Sequence, residues 1–166
     1  MKALVGFEKE FEIISKNLIA DKLNNSVLIC GNKGIGKYFF IIKIIEEFMK
    51  LKINPDQINH HLTLLDNNSH PNIKILNKKL DEKTVRVKHN ITIDQIRELN
   101  NFFTETSLID NFPKFILIDS ADDLNISSAN ALLKILEEPK KNTYFFLIRS
   151  EEHTSELQSP MYLVCR

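Results

Sequence analysis

The sequence contains the stretch Gly31-Asn32-Lys33-Gly34-Ile35-Gly36-Lys37, which follows the pattern G-x-x-x-x-G-K. An apolar run at residues 26–30 precedes it, and residues 38–50 continue as a strongly apolar helical stretch. In this order a glycine loop can surround phosphate oxygens with backbone N–H groups, and Lys37 can neutralise the outer phosphates. All four glycines lie within the first 36 residues. The stretch predicts a phosphate-binding loop, the alternative being a glycine-rich turn without a nucleotide role.

The residue after Lys37 departs from what such a loop needs to position a metal. A serine or threonine there would bring its hydroxyl to Mg²⁺, but this chain has Tyr38. The phenolic oxygen of tyrosine lies at the far end of a ring and cannot occupy the place of a β-hydroxyl. We therefore expect phosphate binding to be kept and magnesium positioning to be lost.

A second buried strand, at residues 115–118, ends on Asp119. In proteins with a phosphate loop, an Asp at the end of such a strand holds the magnesium; an acid that caps a turn is the alternative. The next residue is Ser120, which cannot serve as a general base near neutral pH, and we expect Asp122 and Asp123 to point away into the next turn. A general base is worth about 10²–10⁴ in rate. We therefore predict little hydrolysis and assign no catalytic residue.

Strands and helices alternate along the chain. We predict helices within residues 7–23, 92–103 and 125–138, strands at 73–76, 84–88 and 143–148, and either element within 56–72. Thr92 and Gln95 have the spacing of a capping box. The alternation predicts an α/β fold in which helices cover both faces of a parallel sheet.

Composition limits the classes of function. A length of 166 residues with 43% hydrophobic residues indicates one domain with a core. The 22 basic and 22 acidic residues balance, so no global field recruits nucleic acid or a membrane. The basic residues of one stretch alternate with acidic ones and are expected to form a solvated face: Lys78, Lys79, Lys83, Arg86 and Lys88. Two cysteines and the absence of a membrane-length apolar run indicate the cytoplasm.

Residues 149–166 differ in character from the rest. Residues 149–159 read Arg-Ser-Glu-Glu-His-Thr-Ser-Glu-Leu-Gln-Ser, which corresponds codon for codon to a translated sequencing-library adapter, and a later adapter stretch would give residues 163–166. We expect residues 149–166 to be non-native and leave them out of the fold prediction. The predicted domain is then residues 1–148. A natural polar tail is the alternative.

Five stretches together resemble the delta-prime family of bacterial clamp-loader subunits, which belong to the AAA+ class. They are residues 31–37, 70–73, 93–99, 114–122 and, most specifically, 128–139, which read Ser-Ala-Asn-Ala-Leu-Leu-Lys-Ile-Leu-Glu-Glu-Pro. The resemblance covers residues 1–148. It implies a phosphate-loop three-layer sandwich, here ending before the fifth strand of the family's sheet. Residues 31–38 and Asp119 would then be a degenerate nucleotide site.

The resemblance implies a mostly static subunit that helps to load the sliding clamp on primed DNA, together with the tau/gamma and delta subunits. It implies part of a polymerase holoenzyme rather than a catalytic chain, with ATP or ADP held without well-placed magnesium. The block at 128–139 is shared with the tau/gamma motor subunit, so an ATP-hydrolysing motor is the alternative. Tyr38 and Ser120 favour the delta-prime branch.

Two departures from the family stand out. Many relatives carry a four-cysteine zinc module after the phosphate-loop helix, but residues 50–72 have no cysteine. We expect no zinc there and interpret His60, His61 and His70 as solvated or turn residues. The sensor residue, a Ser-Arg-Cys segment, the lid domain and the collar of the family are not among the 166 residues. Without the fifth strand, residues 26–30 would form a bare apolar edge, so we expect the chain to associate.

Overall fold

The computed structural model describes residues 6–78, 80–81, 86–87, 90–105, 109, 111–150 and 161–165. The helices are α1 (Glu8–Ile19), α2 (Lys37–Lys52), α3 (Pro55–Asp66), α4 (Ile93–Thr104) and α5 (Ile126–Glu137), and a short 3₁₀ turn, η1, spans Ala121–Asp123. The strands are β1 (Ser26–Gly31), β2 (Ile73–Leu76), β3 (Leu80–Asp81), β4 (Arg86–Val87), β5 (Lys114–Ile118), β6 (Thr143–Ser150) and β7 (Met161–Cys165). Within these residues, no helix has the length and apolar character needed to cross a bilayer.

The main sheet has the strand order β2-β5-β6-β1-β7. The first four strands are parallel, as predicted, with Ser26 of β1 opposite Phe145 of β6 and Phe115 of β5 opposite Tyr144. The strand predicted at 84–88 is found as β4, which pairs with β3 in a separate antiparallel ribbon. Residues 84, 85 and 88 lie outside the described part of the chain.

Capping residues in the sequence determine where α3 and α4 begin. Asn54 begins α3 directly after α2 has ended at Lys52 and Ile53, because its side chain accepts the Asp56 N–H at 3.1 Å while Pro55 takes the first helical position. This resolves residues 56–72 as a helix and a turn before β2. The capping box is confirmed at α4, where Gln95 Oε1 accepts the Thr92 N–H at 3.1 Å.

Side chains alternate between two cores on opposite faces of the sheet. Phe115 of β5 and Phe146 of β6 pack with α1 and α2, whereas Ile116 and Phe145 pack with α4 and α5. All four side chains are fully buried. The predicted three-layer arrangement is therefore confirmed.

The expectation of a bare edge at β1 is wrong. β7 lies antiparallel along β1, with Leu28 opposite Val164 and Gly31 opposite Met161. It takes the position beside the phosphate-loop strand and satisfies the backbone groups that the prediction left unpaired. Pairing of this kind requires only an extended backbone, so the non-native origin of residues 149–166 stays a prediction.

Removing β7 should convert a monomer into oligomers. Deletion of residues 161–166 would expose the backbone groups of β1 next to buried apolar side chains, and such edges pair with other chains. We expect light scattering and size-exclusion chromatography to show association at micromolar protein. Deletion of Arg166 alone, which follows β7, is the matched control. Unchanged monomeric behaviour after the longer deletion would show that β7 does not protect this edge.

Candidate phosphate-binding site

The predicted loop adopts a conformation suited to binding an anion. Gly34 and Gly36 have φ values of 84° and 93°, which residues with a Cβ rarely adopt. Helix α2 begins at Lys37, directly after Gly36, and has neither a side-chain cap nor an acidic residue in its first turn. The first N–H groups of a helix have no partner within the helix. They are therefore directed towards the space enclosed by the loop.

The predicted lysine lies inside this loop. Lys37 is buried, with 6% of its surface exposed. Its Nζ donates to the carbonyl oxygens of Gly31 and Asn32 at 2.7 and 2.8 Å. The ammonium group thus holds the two ends of the loop together and brings a positive charge close to where phosphates would bind.

The loop and Asp119 face the same cleft, as the sequence predicts. The cleft has a volume of about 980 Å³. Its walls come from the loop, the start of α2, the ends of β2, β5 and β6, and η1: Lys33, Gly34, Gly36, Lys37, Tyr38, Phe39, Asn77, Lys78, Asp119, Ser120, Asp122, Asp123, Ile148, Arg149 and Ser150. The carboxyl ends of parallel strands meet at one edge of a sheet. This brings residues that lie far apart in sequence into one site.

Asp119 has a fixed backbone position and a carboxyl group whose pKa depends on several neighbouring groups. Its backbone N–H donates to Leu76 O at 2.8 Å, which fixes the end of β5 against β2. Burial raises the pKa of the Asp119 carboxyl, and the Asp123 carboxylate raises it further, while the Lys37 ammonium lowers it. Tyr38 is half-buried. Burial is the main cause that raises the pKa of its phenol, and the charges of Asp119 and Asp66 raise it further. The phenol therefore remains neutral and faces a carboxylate environment.

Asp122 and Asp123 do not point away, and this part of the prediction is wrong. The 3₁₀ turn η1 folds the chain back over the cleft, so both carboxylates line it. Asp122 Oδ2 accepts the Ser150 N–H at 2.7 Å and lies 3.2 Å from the hydroxyl of Ser120. Lys78 Nζ donates to Asp123 Oδ1 at 2.9 Å. The two acids join the ends of β2 and β6 through η1.

Several residues of the site were not identified from the sequence. Asn77 and Lys78 could have been found, because they follow β2 and therefore lie at the same edge as the loop. Asp66 could not, since it ends a helix that the sequence left ambiguous. Phe39, in the apolar stretch after the loop, lines the cleft with 66% of its surface exposed.

His61 and His70 are buried, so interpreting them as solvated is wrong, whereas His70 does lie in a turn, where its carbonyl oxygen accepts the Ile73 N–H at 3.1 Å. Their exposed fractions are 5% and 3%, and His61 Nδ1 lies 3.1 Å from His70 Nε2. Asn72 N–H donates to His70 Nδ1 at 3.1 Å. Burial, followed by the charges of His61 and His60, lowers the pKa of His70 to about 4. No group of three or more potential metal ligands occurs in the described parts of the chain.

Comparison with known proteins gives consistent matches. The sequence model of the family described as DNA polymerase III, delta subunit, matches residues 6–156. The DNA polymerase III subunit delta' of Pseudomonas aeruginosa is 38% identical over 85 residues, which are 51% of this chain and 24% of that protein. The subunit delta' of Bacillus subtilis is 26% identical over 142 residues, covering 84% of this chain and 40% of the relative. That of Haemophilus influenzae is 28% identical over 145 residues, covering 86% and 41%.

One solved structure shows the same fold. A DNA polymerase III, gamma subunit-related protein from Thermotoga maritima superimposes with a TM-score of 0.58 at 19% sequence identity. The match covers 86% of this chain and 40% of that protein. In each of these comparisons the chain spans less than half the length of the protein that it matches.

Proposed function

Because this chain belongs to the DNA polymerase III delta subunit family, we propose that the whole protein is a delta-prime-like subunit of the bacterial clamp loader. In this role it helps to place the sliding clamp on primed DNA in the cytoplasm. Its partners within the loader are the tau/gamma and delta subunits. The printed names of the curated relatives support the assignment, and the proposal concerns a longer protein than the 166 residues described above.

The observation that carries the proposal is the residue after Asp119. A hydrolytic AAA+ site has Glu there, to polarise the attacking water, and this chain has Ser120. The Ser120 hydroxyl lies 3.2 Å from Asp122 Oδ2 and cannot serve as a base at neutral pH. Together with Tyr38, it indicates a subunit that does not drive the loader through its own hydrolysis.

The contacts around the cleft support a static role. Three strand ends are connected through η1, by Asp122 to the backbone of Ser150 and by Asp123 to Lys78. Lys37 closes the loop by donating to the carbonyl oxygens of Gly31 and Asn32. These contacts fix the loop and the ends of three strands relative to one another, which suits a subunit around which others move.

We also propose that the loop still receives the phosphates of ATP or ADP, without well-placed magnesium and without zinc elsewhere in the domain. The N-terminal end of α2, which lies directly after the loop and has no side-chain cap, and the ammonium of Lys37 supply the attraction. The rival function is an ATP-hydrolysing, tau/gamma-like motor subunit. It is supported by the intact G-x-x-x-x-G-K pattern, but it has no candidate base at position 120.

Reconstitution of the loader tests the assignment. The full-length protein should co-elute with the tau/gamma and delta subunits of the same organism in size-exclusion chromatography. Alone, it should hydrolyse ATP at least about 10²-fold more slowly than the motor subunit, since it lacks the general base. Lys37→Ala in this subunit should leave ATP turnover by the complex nearly unchanged, whereas the corresponding change in the motor subunit should abolish it.

Two results would contradict the assignment in different ways. Failure to co-elute would exclude the clamp-loader role. Turnover by the isolated protein that disappears in Lys37→Ala would establish the motor alternative.

A further inference from the structure

Magnesium bound with a nucleotide needs protein oxygens, and those in this cleft do not fit it. Mg²⁺ requires near-octahedral geometry with oxygen ligands at about 2.0–2.1 Å. In a complete magnesium site, the loop would supply one oxygen ligand from the residue after Lys37. The end of β5 would supply another from Asp119. The first of these is missing, since Tyr38 has no β-hydroxyl.

The side chain of Tyr38 lines the same cleft as the remaining acid, Asp119. Its ring packs against the core beneath the loop and makes an edge contact with Phe39, with centroids 5.6 Å apart. The Asp119 carboxylate is close enough to Tyr38 to raise its pKa, and so is Asp66 at the end of α3. The ring of Tyr38 thus takes up space in the cleft that Asp119 also lines, where a small hydroxyl would leave more room for water ligands.

The other two carboxylates of the cleft are already engaged. Asp122 accepts from Ser150 N–H at 2.7 Å and has Arg149 Nε at 3.4 Å, and Asp123 pairs with Lys78 at 2.9 Å. A divalent ion would have to break these contacts to gain ligands. The positive groups, by contrast, are arranged for an anion, because Lys33 and Lys37 both border the cleft beside the loop.

We propose that the cleft selects metal-free nucleoside polyphosphates, with Tyr38 as the residue that determines this specificity. Magnesium then competes with the protein for the phosphates instead of joining them to it. It removes negative charge from the ligand, which weakens attraction to Lys33 and Lys37, and it brings a hydration shell that the cleft cannot replace. The inference rests on the proposed nucleotide role of the loop, and it does not depend on assembly of the loader.

Calorimetric titration with ADP tests the proposal on the unmodified chain. ADP should bind more tightly in EDTA than in excess MgCl₂, by roughly tenfold in Kd, or about 1.4 kcal/mol. Lys37→Ala should weaken binding in both buffers. Tyr38→Thr should reverse the preference, because it restores a β-hydroxyl and opens space beside Asp119. Tyr38→Phe, the matched control, keeps the ring and should keep the preference for metal-free ADP.

The comparison of buffers needs no variant, so it remains decisive if Tyr38→Thr does not fold. Equal or tighter binding of ADP in MgCl₂ would overturn the proposal, as would an absence of binding in EDTA. Neither result would alter co-elution with the other subunits, so the two proposals fail separately. Reversal of the preference by Tyr38→Phe would show that the phenolic hydroxyl, and not the ring, excludes the metal.

Discussion

Replacement of Phe115 by alanine should lower the free energy of unfolding by about 3–5 kcal/mol. The side chain is fully buried in the centre of β5. Its ring contacts Phe48 of α2 and Phe112, and it stacks on Tyr144 and Phe146 of β6 with centroids 5.9 and 6.3 Å away. Removing it leaves a cavity where the sheet meets α2, and several aromatic contacts are lost together.

Urea denaturation followed by circular dichroism measures this effect. Phe39→Ala is the matched control, because it deletes the same side chain where 66% of its surface is exposed. We expect that control to change stability by less than about 1 kcal/mol. A Phe115→Ala protein as stable as the control would mean that the core between the sheet and helices α1 and α2 does not depend on this ring.

The domain should lose about 3 kcal/mol of stability on acidification from pH 6.5 to pH 4 through one histidine. The pKa of His70 falls from 6.5 to about 4 on folding, so the unfolded chain binds more protons throughout this interval. Stability from this group is complete above pH 6.5 and is lost as the pH falls towards 4, at about 1.4 kcal/mol per pH unit. The lowered pKa of His61 acts in the same direction.

The hydrogen bonds explain why both rings stay neutral. His70 Nδ1 accepts from the Asn72 N–H, so its single proton lies on Nε2 and is directed at His61 Nδ1. Protonation of either ring would place two N–H groups against each other or against a backbone donor. The charges of His61 and His60 act in the same direction, since both lower the pKa of His70.

Denaturation between pH 4 and pH 7 tests this pair. His70→Asn keeps an acceptor for the Asn72 N–H but removes the titrating ring, so its stability should depend less on pH than that of the unmodified chain. His60→Asn, at an exposed position of α3 next to His61, is the control and should keep most of the dependence. Parallel pH profiles for the unmodified chain and His70→Asn would show that the pair does not govern the acid response.

Periodic and geometric signals made the fold and the centre of the site predictable from sequence. The loop, the strand ending in Asp119 and the alternation of helices and strands all follow from local patterns, and the structure places them in one cleft. Ile19 shows the limit of such a pattern: it is an apolar residue of the predicted helix, but it is the last residue of α1 and 45% of its surface is exposed.

What the sequence could not predict depends on contacts between distant segments. The burial of His61 and His70 requires the chain after α3 to turn back so that His70 lies against His61. The polar composition of this segment alone predicted that both side chains would be exposed to solvent. The inward position of Asp122 and Asp123 depends on η1 and on partners at Lys78 and Ser150, which are remote in sequence. The strand that pairs with β1 is β7, whose residues were left out of the fold prediction because residues 149–166 resemble a translated adapter.

The order of strands in the sheet has a consequence for synthesis on the ribosome. β1 is made early, but its neighbours on both sides, β6 and β7, are made last. Until β6 and β7 are made, the backbone groups of β1 have no partner strand and its apolar side chains are exposed. We therefore expect the nascent chain to bind chaperones. We expect a phosphate loop attached to an unpaired strand not to hold the shape that it has in the folded domain. Nucleotide can therefore influence this domain only after translation has passed β6, and cannot guide its folding from the start.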